Sequence, residues 1–301
     1  MRDALNDLNT AWGQPGRVAF SMSPLGGPVV TLAGTDGTAV VALQGAQLLS
    51  WTPTGHDPVI WLSPVERLGT SKPVRGGTPV CWPWFANHPT DTTKSAHGFV
   101  RTRQWTVEGA GVTDTGAWLT LAVQTSPADV PIWPHQATAQ LKVVLGAQLD
   151  LALTTINTGD VPFTLSQALH TYFTIGDIAA VDVSGFDGET YRDKLDGGRR
   201  HPQSGTITFA GEVDRIYDAH TSGALINDHR LRRCITVTQT GSRSAVVWNP
   251  GPAKASRLGD LGPDGWRQFV CVETANAGDD RRELAAGTRH VIGATYAVTR
   301  L

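Results

Sequence analysis

Cysteine is scarce in this sequence of 301 residues. Cys81, Cys234 and Cys271 are odd in number and far apart along the chain. Such spacing fits neither a disulfide framework nor a clustered thiolate metal site. We therefore expect three reduced thiols that serve mainly in packing.

Long apolar runs and a strong charge excess are lacking as well. No run is long enough to cross a bilayer, and the polar, acidic start lacks the basic-then-apolar order of a secretory signal. The formal net charge of -2 argues against a general binder of nucleic acid or membrane surfaces. We expect a cytoplasmic protein without nucleic-acid or membrane partners, in which any anion site is local.

Nucleotide motifs and helical patterns are also missing. There is no glycine-rich Rossmann or P-loop fingerprint and no HExxH helix. Instead, short segments rich in valine, threonine, leucine and tryptophan recur between glycine-rich breaks. Examples are PVVTLAG after Gly27, TAVVALQGAQLLSW ending at Trp51, FTLSQALHTYF ending at Phe173 and FVCVET from Phe269.

This pattern predicts an all-β fold. LKVVL and LDLALTTI flank the residues Gly146-Ala147-Gln148 and predict a hairpin. No linker or composition break divides the chain, so residues 1–301 are expected to form a single sandwich or related closed β domain. Short helical turns are expected near Pro64–Leu68 or Lys254–Leu261.

The segment KPVRGGTPVCWPWFANHPTDTTKSAHGFVRTR, from Lys72 to Arg103, combines residue types that suit a polar, anionic, ring-shaped ligand. The guanidinium of Arg75 matches phosphate geometry, and the pair Gly76-Gly77 lets backbone approach closely. Trp82 and Trp84 offer walls for stacking, although most tryptophans serve in core packing. A sugar phosphate has all the corresponding parts.

Two ionisable residues in strand-like segments are candidates for acid–base chemistry. In ALHTYF, His170 shares a strand face with Ala168 and Tyr172, and its near-neutral pKa suits proton transfer. In FVCVETANA, Glu273 shares a face with Phe269 and Cys271, which would desolvate it and strengthen it as a base. The alternatives are a core histidine bonded to a carbonyl and a salt-bridged structural glutamate.

Three further residues are candidates for substrate binding. In AHGFVRTR, a strand would place His97 and Arg101 on one side, roughly 13 Å apart, which suits the ring and phosphate ends of a hexose phosphate. Asp214 in GEVDRIYDAH could accept a hydrogen bond from a sugar hydroxyl. Arg101 could equally be a solvated cation, and Asp214 a turn residue in a local ion pair.

Six blocks in order carry a specific resemblance over almost the whole chain from Pro28. They are RGGTPVCWPWF, AHGFVRTRQW, ALHTYFTIGDI, GEVDRIY, VVWNPG and FVCVETAN. Together they resemble the D-hexose-6-phosphate mutarotases, also called glucose-6-phosphate 1-epimerases, of the aldose 1-epimerase superfamily. One departure follows Asn249, where Gly251 stands in place of an expected aromatic residue.

The resemblance implies a large antiparallel β-sandwich of the galactose mutarotase type that binds sugar across a concave face without metal or organic cofactor. It implies that His170 protonates the ring oxygen and that Glu273 is the base. It further assigns His97 and Asp214 to the sugar and Arg75 and Arg101 to the phosphate. Lys254 stays outside this set as a solvated lysine.

The expected reaction interconverts the anomers of a hexose 6-phosphate by acid–base ring opening and closure. Three alternatives are a mutarotase for neutral aldoses, a non-catalytic carbohydrate-binding protein, and a metal site formed by His97, His170 and a carboxylate. The preferred hexose and the oligomeric state are not encoded in any motif of the sequence.

Overall fold

Antiparallel β-strands dominate the computed structural model, which describes residues 2–114 and 116–301. The helices are α1 (Arg2–Trp12) and α2 (Gly251–Ala255). The strands are β1 (Val18–Met22), β2 (Pro28–Gly34), β3 (Gly37–Ala42), β4 (Leu48–Pro53), β5 (Val80–Cys81), β6 (Thr106–Thr113), β7 (Gly116–Gln124), β8 (Ala137–Leu145), β9 (Leu149–Asn157), β10 (Phe163–Leu165), β11 (Gln167–Leu169), β12 (Tyr172–Thr174), β13 (Val181–Ser184), β14 (Thr190–Asp193), β15 (Arg199–Pro202), β16 (Val213–Tyr217), β17 (Ala224–Asp228), β18 (Arg233–Thr240), β19 (Ser244–Asn249), β20 (Phe269–Asn276), β21 (Arg282–Leu284) and β22 (Arg289–Arg300).

Two large sheets form the body of the molecule. One has the strand order β13-β17-β18-β22-β9-β8-β7-β6. The other has the order β15-β14-β16-β19-β20-β11-β5, with β12 also paired to β20. A four-stranded sheet, β1-β2-β3-β4, and the pair β10-β21 complete the fold. The architecture confirms the predicted all-β class.

Alternation along the strands builds a shared core between the sheets. Leu151 and Leu153 of β9 and Val270 and Val272 of β20 belong to the same buried apolar cluster. Because successive strand residues point to opposite faces, the outer face of β20 is left for other side chains. That outer face carries the candidate site.

The predicted hairpin is confirmed, since Leu145 of β8 pairs with Leu149 of β9. Two predicted long strands are each broken in the structure. TAVVALQGAQLLSW forms β3 and β4, which pair with each other across a turn. FTLSQALHTYF forms β10, β11 and β12, and the breaks free individual residues from the sheet ladder.

Helical structure differs from the expectation in two places, the N-terminal segment and residues 64–68. The N-terminal segment forms α1, which the sequence analysis did not predict, and its Leu5 packs into the core. The helical turn expected around Lys254 occurs as α2, whereas residues 64–68 form turns without helix. None of the helices in the described ranges is both long and apolar enough to serve as a membrane span.

Candidate active site

Glu273 lies on the outer face of β20, in the middle of its sheet. It is paired across the ladder with Val246 of β19 and is 1% exposed. Phe269 and Cys271 share its face and belong to one buried cluster, as alternation predicted. Burial, followed by the nearby charge of Asp214, holds the pKa of Glu273 well above its ordinary value.

His170 lies in the short break between β11 and β12. Its backbone N–H donates to the carbonyl of Pro79 at 3.0 Å, which fixes the residue beside the outer face. Its Nε2 lies 3.4 Å from Oε1 of Glu273. Burial, followed by the positive charges around it, lowers the pKa of His170 well below 6.5. Ala168 and Tyr172 share the outer-face cluster, and Leu169 points to the core, as expected.

The two groups form a buried acid–base pair. Both pKa shifts favour the uncharged forms, so the free site holds one exchangeable proton between the carboxyl and the imidazole. Among the described residues, Oε2 of Glu273 and Nδ1 of His170 are buried without a hydrogen-bond partner. Buried polar atoms are normally satisfied, so two unpartnered atoms on one close acid–base pair single this pair out as a candidate site.

His97 lies in a loop and faces the imidazole of His170 edge-on, with ring centroids 5.7 Å apart. Its Nδ1 accepts from the backbone N–H of Ala86 at 3.3 Å, so a neutral ring carries its proton on Nε2. Burial is the main cause that lowers the pKa of His97 to about 3. The residue can therefore act as a neutral donor to a sugar hydroxyl.

The expected strand from His97 to Arg101 is not present. Residues 96–103 form turns, and His97 has a left-handed backbone with φ of 64°. Gly98 forces this path, because a Cβ on it would lie 1.7 Å from the carbonyl oxygen of Trp82. His97 and Arg101 nevertheless line the same cleft. The prediction of a shared strand face was wrong, although both side chains reach one cavity.

Asp214 lies on β16, two strands away from Glu273, rather than in a turn. Its Oδ2 lies 3.4 Å from Nζ of Lys194, which follows β14 in a short 3-10 turn. Burial is the largest cause that raises the pKa of Asp214. Lys194 was not found from the sequence, since no motif surrounds it.

A cavity of about 200 Å³ joins these groups. Its lining residues are Arg75, Phe85, His97, His170, Lys194, Asp214, Val246, Trp248, Lys254, Leu258 and Glu273. A wider cleft of about 680 Å³ continues from it and is also lined by Arg75, His97 and His170. The size and the polar lining suit one sugar ring with a charged substituent.

The wider cleft carries the positive charge. Nε and Nη2 of Arg75 donate to Oδ2 of Asp260 at 3.0 and 2.9 Å, and Nη1 donates to the hydroxyl of Tyr172 at 3.0 Å. Arg101 donates from Nη2 to the carbonyl of Ala96 at 2.7 Å, while its buried Nε has no partner in the described part of the chain. Lys72 and Arg257 line the same cleft.

The predicted roles of the aromatic residues and glycines need correction. Trp82 is fully buried and donates to Thr155, so it belongs to the core and cannot stack on a ligand. Trp84 is 4% exposed and lines a different cavity. The tryptophan at the site is Trp248, whose ring meets that of His170 edge-on at 5.7 Å. The pair Gly76-Gly77 approaches neighbouring backbone, at Trp61 and Leu48.

The structure places Lys254 in an ion pair. Nζ of Lys254 lies 2.5 Å from Oε1 of Glu212, and the side chain lines the smaller cavity, so it is not simply solvated.

Within residues 2–114 and 116–301, no group of three or more His, Cys, Asp or Glu side chains is arranged to hold a metal ion. The proposed triad of His97, His170 and a carboxylate is therefore not assembled.

The chain is similar to known proteins in sequence and in fold. The family model for aldose 1-epimerase matches residues 28–296. A protein of Escherichia coli provisionally named glucose-6-phosphate 1-epimerase is 39% identical over 256 residues, covering 84% of each chain. The crystal structure of a mutarotase candidate from Salmonella typhimurium has a TM-score of 0.87 at 32% identity, covering 95% of this chain and 94% of the other.

A more distant structure is similar in fold alone. The galactose mutarotase-like protein of Clostridium acetobutylicum has a TM-score of 0.72 at 12% identity, and the match covers 94% of this chain and 98% of the other chain. The match of the family model spans most of the chain and includes each of the candidate residues Arg75, His97, Arg101, His170, Asp214 and Glu273. The chain belongs to the aldose 1-epimerase family.

Proposed function

We propose that this protein interconverts the α and β anomers of hexose 6-phosphates, with glucose 6-phosphate as the principal substrate. One observation carries the proposal: Glu273 Oε1 and His170 Nε2 lie 3.4 Å apart beside a cavity that shares Arg75, His97 and His170 with a wider cleft, and that cleft is also lined by Arg101. The names of the relatives in Escherichia coli and Salmonella typhimurium support the same reaction class.

Glu273 and His170 act as the acid–base pair in this mechanism. The ionised carboxylate of Glu273 removes the proton from the anomeric hydroxyl while the imidazolium of His170 protonates the ring oxygen, and the ring opens to the aldehyde. Rotation about the C1–C2 bond presents the other carbonyl face. The proton on Glu273 then returns to O1, His170 recovers its proton from the C5 hydroxyl, and the opposite anomer forms.

The remaining candidates hold the substrate. Nε2–H of His97 donates to a ring hydroxyl, and the carboxylate of Asp214 accepts from another, with Lys194 as its counter-ion. Arg75 and Arg101 bind the phosphate, which supplies binding energy remote from the reacting atoms. Positioned proton transfers each contribute roughly a hundred- to ten-thousand-fold, which suffices for a sugar that already mutarotates in water.

We also infer that residues 1–301 act as one domain. Leu5 of α1 and Tyr296 of β22 belong to the same apolar core cluster, so the two ends of the described chain share one interior.

The direct test is anomer exchange measured by NMR with glucose 6-phosphate and with glucose. We expect the wild type to accelerate exchange of the phosphate ester, and His170→Ala to abolish most of that acceleration. Absence of acceleration with any hexose 6-phosphate would favour the non-catalytic carbohydrate-binding alternative.

Arg101→Ala separates the hexose 6-phosphate activity from the alternative of a neutral-aldose mutarotase. Removing a charge-assisted contact to phosphate is expected to raise KM for glucose 6-phosphate by about tenfold or more, equivalent to ~1.5–3 kcal/mol. KM for glucose should change little, because glucose has no group at that end. Equal changes for both sugars would refute the phosphate role of Arg101.

A further inference from the structure

Tyr172 connects the cationic end of the cleft to the catalytic imidazole. Its hydroxyl accepts from Nη1 of Arg75 at 3.0 Å. Its ring stacks on the ring of His170, with centroids 5.0 Å apart and planes 10° from parallel. One rigid side chain therefore touches a candidate phosphate ligand and the candidate general acid.

The ring of Tyr172 cannot move away from this position. It is 1% exposed and packs against Phe269 at 4.9 Å, Trp61 at 5.9 Å and Trp248 at 5.9 Å between centroids. An aromatic side chain that is packed in this way keeps its rotamer when the charge near its hydroxyl changes. The hydrogen bond consequently fixes Arg75 at a defined distance from the imidazole.

In the free protein, Asp260 neutralises Arg75. Its Oδ2 accepts from two donors of the guanidinium, and Tyr172 accepts from a third. Of the five N–H donors of an arginine, two remain for an incoming anion. Asp260 is 39% exposed and belongs to the loop after α2, so a bound oxyanion can share Arg75 with it or displace it.

The groups around the pair act unequally on its two members. Besides burial and His97, the permanent charges of Arg75 and Arg101 lower the pKa of His170. The charges that act on Glu273 are those of Asp214 and Lys194. An anion bound between Arg75 and Arg101 therefore raises the proton affinity of His170 more than that of Glu273, which favours the reactive pair of imidazolium and carboxylate.

We propose that an oxyanion bound at Arg75 and Arg101 activates the catalytic pair through Tyr172, even when that oxyanion is not attached to the sugar. This inference rests on the proposed hexose-phosphate function and adds an activity to it. Glucose turnover should rise when a free tetrahedral dianion occupies the phosphate end of the cleft. Tyr172 is a positioning residue in this scheme, since it acts through His170 and Arg75.

Sulfate is the probe that tests the proposal. It has the shape and charge of a phosphate dianion, yet it exchanges no proton near neutral pH and so does not itself catalyse mutarotation as phosphate does. Anomer exchange of glucose is measured by NMR with sodium sulfate and with sodium chloride at matched ionic strength. We expect sulfate to accelerate the enzymatic rate by about three- to tenfold, because a higher pKa of His170 increases the fraction of reactive imidazolium.

Sulfate should also move the alkaline limb of the pH–rate profile to higher pH, because His170 then keeps its proton longer. Tyr172→Phe keeps the stacked ring and loses the hydrogen bond to Arg75. In this variant, activation by sulfate should fall below about twofold, while sulfate still inhibits glucose 6-phosphate turnover competitively. Tyr191→Phe, a change outside both cavities, is the matched control and should retain full activation.

The outcomes separate the two proposals. If neither sugar is turned over, the hexose-phosphate function itself fails. If glucose 6-phosphate is turned over but sulfate leaves glucose turnover unchanged or undetected, only the activation is overturned. If sulfate activates the wild type and Tyr172→Phe equally, the activation stands and the role of Tyr172 is overturned.

Discussion

At the scale of single residues, the site depends on Glu273 and His170 sharing a buried position. Burial raises the pKa of the carboxyl group and lowers the pKa of the imidazole, so it disfavours the charged form of each and keeps the pair uncharged in the free site. The same pair in water would be a carboxylate and a partly protonated imidazole, each stabilised by hydration. Burial is therefore the main cause of the shifted pKa values of both groups.

Glu273→Gln removes the base and keeps the side-chain volume. We expect kcat for anomerisation of glucose 6-phosphate to fall roughly a hundred- to ten-thousand-fold, with little change in KM. Glu283→Gln, which changes an exposed side chain on strand β21, is the control and should leave kcat within about twofold of wild type. A loss under tenfold in Glu273→Gln would show that the carboxylate is not the general base.

His97 should make the protein less stable in acid. Its pKa is about 3 in the folded protein, compared with 6.5 unfolded, so below pH 6.5 the unfolded chain binds a proton that the folded chain does not. The free energy of unfolding then falls as pH falls from 6.5 towards 3, by up to about 1.4 kcal/mol per pH unit from this residue. His170 acts in the same direction, whereas the raised pKa of Glu273 contributes stability that is lost as pH rises.

Urea unfolding of wild type and His97→Gln at pH 7 and pH 5 measures this contribution. The wild type should lose about 2 kcal/mol more than the variant between these pH values. His229→Gln serves as the control, since that side chain is 61% exposed. An identical pH dependence in wild type and His97→Gln would contradict a buried neutral imidazole.

Prediction from sequence succeeded for residues that lie on one strand or beside it. Alternation placed Glu273 with Phe269 and Cys271, and His170 with Ala168 and Tyr172, on the outer face. It could not reveal that Lys194, Trp248 and Asp260 belong to the same site. Those residues come from distant segments, and a period of two along one strand contains no information on another segment's position.

At the scale of elements, a loop and a strand break carry the two candidate histidines, whereas Glu273 and Asp214 lie on strands β20 and β16. His170 lies in the break between β11 and β12, and His97 lies in a loop with a positive φ. Removing a residue from a ladder lets its side chain tilt away from the strict alternation of the sheet. Strained backbone of this kind persists where surrounding structure fixes it.

Gly98→Ala tests how firmly this loop is held. A Cβ there would meet the carbonyl oxygen of Trp82 at 1.7 Å, on a backbone with φ of 75°. We expect a loss of roughly 2–4 kcal/mol in the free energy of unfolding, together with a raised KM because His97 shifts. Gly205→Ala has a similar φ of 65° with nothing within 4 Å, and it should cost only about 1–2 kcal/mol. If denaturant unfolding shows equal losses of stability for Gly98→Ala and Gly205→Ala, the close approach of Gly98 to the carbonyl oxygen of Trp82 is unimportant.

Element boundaries were harder to predict than element type. The hairpin of β8 and β9 followed directly from two alternating runs and a short turn. The segment FTLSQALHTYF was predicted as one strand because its composition is continuous, yet tertiary contacts break it twice. Helix α1 was missed because its sequence is polar and only Leu5 of it is buried.

At the scale of the whole molecule, charge is distributed unevenly. The chain has a formal net charge of -2, yet one cleft is lined by four cationic side chains, Lys72, Arg75, Arg101 and Arg257, against two carboxylates, Glu66 and Asp260, which leaves a local excess of two positive charges. The local field there attracts a phosphate ester, although the protein as a whole would repel it weakly. Selectivity for anionic sugars is thus a local property of the fold.

This distribution predicts a specific dependence on ionic strength. The Debye length shortens from about 10 Å at 0.1 M salt to about 3 Å at 1 M. We expect kcat/KM for glucose 6-phosphate to fall severalfold over that range of sodium chloride, with kcat/KM for glucose almost unchanged. Arg101→Ala should weaken the dependence, and a flat profile in the wild type would argue against electrostatic recognition of the phosphate.

The sequence by itself determined the fold class, the central hairpin and the family, and it supplied the two candidates for acid–base chemistry, because alternation and ordered motifs are local properties of the chain. Only the tertiary structure decided which side chains share a cavity. It placed Trp82 in the core and Trp248 in the wall of the site cavity, and it showed that Tyr172 contacts both Arg75 and His170. The physical reason is that burial and charge proximity depend on contacts between distant segments. Those contacts set the pKa values on which the proposed chemistry depends.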